Sequence, residues 1–371
     1  MRNLPFLKPS LVTLESYSEY INLIDKNQVY SNFGPLNTLF ERRILDRLFD
    51  GGGTVCTVGN ATLGLILAIS AVKRPSGRYA VMPSFTFAAT ALAAKWCGLE
   101  PYFVDIRADD FCMDTTILAG VLDELEDEVG AVVPYAAFGV GLDLTPYREL
   151  AESGVPVVID AAASAGTRVG NSGFGTNFPG LIVFSLHATK AFGIGEGGLV
   201  YSGSPPLVDA VRRASNFGFS SDRECVTDGL NAKLSEYGAA IGLATLDVFT
   251  DKMEARWRVR EMYIDQFKVA GMFDDGWAVQ KVDGVVPCQF MTALCPDSGN
   301  GAEYVSRLAQ ANIDARTYFS PACHQQGNFI GAPRTSMAVT ENVSRRVVSL
   351  PLWEGMTRNE VDRVIAGLVG E

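Results

Sequence analysis

From residue 60 onward the chain alternates short apolar runs with stretches of helical spacing. Asn60 is placed to cap a helix over residues 62–69, because a short polar side chain satisfies free N–H groups at a helix start. Strands are predicted at 79–82, ending at Pro83, and at 102–105, 131–134, 155–159, 181–185 and 198–201; an alanine-rich helix is predicted over 86–97. Continuous apolar strands separated by helices imply a sheet covered on both faces and mainly parallel. Such sheets place their chemistry at the carboxyl ends of the strands, where Asp160 and Ser185 fall. A long helical stretch over 234–268 then changes the rhythm, followed by strand-like segments near Val279 and Val286 and a last helix over 357–368. The expectation is an α/β chain with a large, mainly parallel sheet domain over 1–250 and a smaller α+β domain over 251–371.

Length supports this division, since 371 residues suffice for two domains. With 47% apolar and 20% charged residues the composition is that of an ordinary globular protein. A net charge of −11 argues against general affinity for nucleic acid or anionic membrane. No apolar run nears the roughly 20 residues needed to span a bilayer. The opening MRNLPFLKPS lacks the basic and apolar order of a signal peptide. Seven cysteines without a C-x-x-C pair read as reduced thiols of a cytoplasmic protein. With two histidines, His187 and His324, a histidine-rich metal site is not expected, and the scattered cysteines suit no structural zinc.

Four features suit one cofactor. Asp160 follows an apolar strand; it is either a turn residue or a carboxylate facing a pyridine nitrogen, a pairing that keeps such a ring protonated. Lys190 follows Ser185-Leu186-His187-Ala188-Thr189 and precedes a glycine-rich turn. It is either an exposed loop lysine or an amine tuned to attack a carbonyl, with Ser185 free to donate to a phosphate. Gly59-Asn60-Ala61-Thr62 opens a helix whose N–H groups favour an anion. Pro83-Ser84-Phe85-Thr86-Phe87 supplies aromatic residues for the core or for stacking on a planar ring. Gly193, Gly195 and Gly198 match G-x-G-x-x-G, but a strand-like segment follows where a dinucleotide fingerprint needs a helix. No G-x-S-x-G elbow is present for a serine hydrolase.

These segments resemble the DegT/DnrJ/EryC1/StrS sugar aminotransferases, of fold-type I, and the resemblance runs from about Tyr30 to the C-terminus. Ser185-x-His187-x-Thr189-Lys190 with Gly195-Glu196-Gly197-Gly198 is similar to the family's cofactor-lysine signature, and Asp160-Ala161-Ala162 to its D-A-A motif. Asn60-Ala61-Thr62 stands where the family has S-G-T at the phosphate, and Phe87 where it has its stacking ring. Gly229-x-Asn231-x-Lys233-Leu234-Ser235-Glu236 is similar to a segment whose asparagine reaches the other subunit's phosphate; Arg316, Tyr318 and His324 match the substrate side. Three positions depart from the pattern: Ala163 in place of histidine or glutamine, Asn60-Ala61 in place of Ser-Gly, and Lys233 in place of arginine.

The resemblance implies a cytoplasmic homodimer with an N-terminal arm over about 1–35. It implies pyridoxal 5′-phosphate (PLP) held as a Schiff base on Lys190, with Asp160 at the pyridine nitrogen. Asn60, Ala61, Thr62, Ser185 and the partner subunit's Asn231 would then hold the phosphate, and Phe87 would cover the ring. The implied reaction is a ping-pong transfer of an amino group from an amino acid, glutamate, to a keto-sugar, nucleotide-linked, with Lys190 as the proton-moving base. The rival readings are a PLP-dependent sugar dehydratase or other lyase, whose relatives replace the lysine with histidine, and a non-catalytic PLP-binding regulator.

Overall fold

The computed structural model describes residues 3–370. Two helices open the chain, α1 (Leu14–Asn27) and α2 (Pro35–Leu48). There follow β1 (Thr54–Val58), α3 (Ala61–Val72), β2 (Tyr79–Pro83), α4 (Ala88–Trp96), β3 (Glu100–Val104), α5 (Thr115–Leu125), β4 (Val129–Val132), α6 (Thr145–Glu152) and β5 (Val158–Asp160). A small hairpin of β6 (Arg168–Val169) and β7 (Ser172–Gly173) precedes β8 (Leu181–Ser185), β9 (Gly198–Ser202) and α7 (Pro205–Ala214). The long α8 (Glu236–Val269) leads to β10 (Ala278–Val279), β11 (Met291–Leu294), α9 (Gly301–Gln310), α10 (Ala338–Arg346), β12 (Val347–Leu350) and α11 (Arg358–Val369).

The arrays β1-β9-β8-β5 and β3-β2-β4 are joined by parallel bridges, Val132 to Val157 and Tyr135 to Asp160. They form one sheet in the order β1-β9-β8-β5-β4-β2-β3. Alternate residues enter opposite cores: Val81, Ile159 and Ile182 pack into one cluster, and Ala80, Met82, Val158 and Val183 into the other. That two-sided burial is why these strands read as unbroken apolar runs.

Two features of the sheet differ from the sequence reading. β1 escaped it, although Thr54-Val55-Cys56-Thr57-Val58 forms an edge strand against β9. And β9 runs antiparallel to both neighbours within the mainly parallel sheet. The reason is the connection: residues 186–197 contain no helix, and without a crossover a strand must return antiparallel.

The C-terminal part has its own core, where α8, α9 and α11 cover an antiparallel sheet β10-β11-β12. The strand-like segment near Val286 lies outside this sheet, with β11 following it instead. The expected division near residue 250 falls inside α8, an unbroken helix whose first half packs on α2 and whose second half packs on α11. The N-terminal arm returns to this region: Leu4 pairs with Ile313, donating to Asn312 O at 3.0 Å and accepting from Asp314 N at 2.8 Å. No helix among the described residues is long and apolar enough to cross a membrane.

Candidate active site

The site gathers at the carboxyl ends of β2, β5 and β8. Asp160 ends β5 and is 3% exposed. Its Oδ2 accepts from Thr90 Oγ1 at 2.6 Å, and its Oδ1 accepts from Ala162 N at 3.1 Å. Thr90 is held in turn by Thr86 at 2.8 Å, so the start of α4 and the loop before it brace the carboxylate. Burial raises the Asp160 pKa, opposed by the Thr90 and Ala162 hydrogen bonds and by the Lys190 charge. Asp160 forms no salt bridge among the described residues, and the cationic group that acts on it is Lys190.

Lys190 closes the tight turn after β8. Ser185 Oγ accepts from His187 N at 3.2 Å, and His187 Nδ1 accepts from Thr189 N at 3.3 Å. Lys190 N in turn donates to His187 O at 2.8 Å. These local bonds bring the lysine back toward the sheet. Protein packed around the amine strips water from it and pushes its pKa down to about 8, with Asp160 pulling the other way. An amine in that range spends a useful fraction of time neutral and nucleophilic near neutral pH.

α3 supplies the anion end. Asn60 Oδ1 accepts from Leu63 N at 2.9 Å, the cap expected from the sequence. This leaves the first-turn N–H groups of Ala61 and Thr62 without intrahelical partners. A Cβ at Gly198 would meet Ala61 N and Asn60 C at 2.9 Å. The glycine therefore lets the helix start lie directly on β9. Ser185, 7% exposed, stands at the end of the neighbouring strand β8. Phe87, at the start of α4, is 58% exposed, with its ring 6.3 Å from that of Phe319. The donor set thus fits PLP: an amine, a buried carboxylate for the ring nitrogen, N–H and hydroxyl groups for a phosphate, and an aromatic face.

The remaining expected residues make contacts of their own. Asn231 is exposed on a loop that folds back through a bridge to Asn216. Lys233 stays within its own chain, donating to Asn216 Oδ1 at 2.8 Å and lying 4.7 Å from the centre of the Phe217 ring. Arg316 is exposed, its guanidinium 5.6 Å from the Phe6 ring centre, and Tyr318 packs beside Phe290.

His324 is held on two sides. Its side chain is buried, with Nδ1 2.7 Å from Ser84 Oγ and Nε2 3.2 Å from Glu341 Oε1. Both ring nitrogens have partners within the chain, so this histidine ties the loop after β2 to α10. Sequence reasoning also missed Gln289, whose Oε1 accepts from Lys190 Nζ at 3.0 Å. It lies in an irregular segment with no motif to flag it. Among the described residues no group of three or more His, Cys, Asp or Glu side chains is placed to hold a metal.

A mainly parallel sheet that brings a lysine and a buried aspartate together at its carboxyl ends defines a fold-type I PLP-dependent enzyme. The chain belongs to the DegT/DnrJ/EryC1/StrS aminotransferase family, whose pattern matches residues 14–369. It is similar to a putative PLP-dependent aminotransferase from Bacillus cereus ATCC 10987, at 47% identity over 100% of both chains with a TM-score of 0.98. The structure of DesI in the presence of its TDP-sugar product is 29% identical, covering 100% of this chain and 94% of that one, with a TM-score of 0.88. Protein Rv3402c of Mycobacterium tuberculosis (strain ATCC 25618 / H37Rv) is 34% identical over 98% of this chain and 89% of that protein.

Proposed function

We propose that this protein transfers an amino group from L-glutamate to a nucleotide-linked keto-sugar, with PLP on Lys190. The observation that carries this reading is the convergence of a desolvated lysine amine and a buried carboxylate, braced by Thr90 and Ala162, at one end of the sheet. The structure of the similar protein DesI in the presence of its TDP-sugar product supports the acceptor class.

Bound PLP supplies an electron sink for the carbanion left when a proton departs from the substrate carbon. The protein's own residues do the rest. Asp160, braced by Thr90, keeps a proton on the facing ring nitrogen, because a buried anion favours a cation beside it. Lys190 Nζ would hold the cofactor through its carbonyl carbon; freed from it, the amine would move a proton from the donor carbon to that cofactor carbon, and in the second half from that carbon to the acceptor carbon. The Asn60–Thr62 helix start and Ser185 would hold the phosphate, and Phe87 would limit one face of the ring. Arg316 and Tyr318 stand on the acceptor side, where the exposed guanidinium suits a diphosphate. In this reading the chain acts as a homodimer, and the exposed Asn231 completes the phosphate site of the partner.

Incubation with L-glutamate and nucleotide-linked 4-keto- or 3-keto-6-deoxysugars, with products followed by mass spectrometry, tests this. Repeated turnover to an amino sugar and 2-oxoglutarate is expected. A deoxygenated sugar without nitrogen would indicate a lyase, and no turnover with any acceptor would fit a PLP-binding regulator.

A further inference from the structure

The geometry points to Gln289 as the positioning residue that holds the free amine of Lys190 and aims its lone pair. This inference rests on the reading of Lys190 as the cofactor lysine. Gln289 is buried, and its side-chain Oε1 accepts from Lys190 Nζ at 3.0 Å. A neutral primary amine has two N–H donors and one lone pair. Giving one N–H to a fixed oxygen stops the amine from spinning about its last bond and leaves the lone pair for a carbonyl carbon or a substrate proton. A neutral amide does this without the full charge that a carboxylate would place beside the amine, consistent with an amine that titrates near 8.

The oxygen is fixed because its backbone is. Cys288, just before it, sits at φ +42°, a left-handed conformation unusual outside glycine. Arg256, 3% exposed on α8, holds that bend: its Nη1 donates to Cys288 O at 3.0 Å and to Gln289 O at 3.4 Å. The same guanidinium grips Glu354 through Nε at 2.8 Å and Nη2 at 3.4 Å, with Lys252 3.5 Å from the same carboxylate. On the other flank Phe290 packs against Phe138, ring centres 5.0 Å apart. A segment from beyond α8 is thus strapped so that one uncharged side chain reaches the amine. The charged group acting on Lys190 from the sheet is Asp160. Arg256, Lys252 and Glu354 reach the Gln289 segment through its backbone, and Arg260 and Glu261 bear on Cys288.

The test is to mix cofactor-free protein with PLP and follow the rate of the lysine-dependent visible band across pH, for wild type, Gln289→Glu and Gln289→Leu. The midpoint of that profile reports the Lys190 amine. Gln289→Glu, equal in size, puts an anion beside the amine and should move the midpoint up by about one to three pH units. Gln289→Leu removes an acceptor that favours the ammonium form, so its midpoint should move down. Its plateau rate above that midpoint should fall by several-fold because the amine is no longer aimed. A merely structural glutamine would change expression or melting temperature without shifting the midpoints in opposite directions. Unchanged midpoints in both variants, with normal band formation, would overturn the proposal. If Leu cannot be purified, the Glu variant alone decides. If the wild-type band is the same in Lys190→Ala, the underlying lysine assignment fails, a result distinct from a failure of Gln289.

Discussion

Asp160 and Lys190 carry opposite electrical problems that one bound cofactor would solve. Burial holds the carboxyl above the usual carboxylate range and the amine below the usual lysine range. In the proposed function a protonated ring nitrogen would give Asp160 its counter-charge, and a carbonyl would give the neutral amine its target. Asp160→Asn keeps the shape and removes the charge. We expect this variant to form the visible band but to lose about 100- to 1000-fold in turnover, as when a preorganised electrostatic partner is removed; wild-type kcat would show that the charge does nothing. Motif residues at this scale were legible in the sequence because strand ends and helix starts fix their backbone. Gln289 was not, since its direction depends on a left-handed Cys288 and a guanidinium from a distant helix. His324 matched the substrate segment by motif, yet its burial against Ser84 could be read only from the folded chain.

At the scale of elements, the apolar runs announced the strands at 79–83, 181–185 and 198–202 to within a residue or two. β1 was less visible because its two threonines break the apolar run and it pairs with a strand far along the chain. The reversed direction of β9 was implicit in its helix-free connection. Between elements, the Arg256–Glu354 pair ties α8 to the turn after β12. Burial alone would raise the Glu354 pKa, but Arg256 and Lys252 outweigh it and hold the carboxyl below its ordinary 4.5. The sign follows. This pairing stabilises the fold in full above that ordinary value and is lost as pH falls through the lowered one. Glu354→Gln should therefore be less stable than wild type by about 3 kcal/mol at pH 7, with the gap in urea midpoint narrowing as pH drops below 4. A gap independent of pH would contradict the ion-pair account.

For the whole molecule, one sheet, a second core and a helix shared between them place the chemistry at strand ends, beside the segment that carries Gln289. The proposed homodimer adds a requirement that a single chain does not meet, because Asn231 is exposed on its loop. Lys190→Ala and Asn231→Ala should each be impaired alone, the second by about tenfold or more, as the loss of a hydrogen bond to a charged group implies. Hybrid dimers of the two should regain activity, since one of their two sites then holds both an intact lysine and an intact asparagine from the other subunit. Hybrids no better than the parents would place Asn231 outside the partner's site.

The central claim is that Lys190 holds PLP and exchanges it with an amino donor. The direct measurement is the visible spectrum of protein with PLP, beside Lys190→Ala, before and after L-glutamate. The account predicts a lysine-dependent band that glutamate bleaches to that of the aminated cofactor. A spectrum identical in wild type and Lys190→Ala would contradict it.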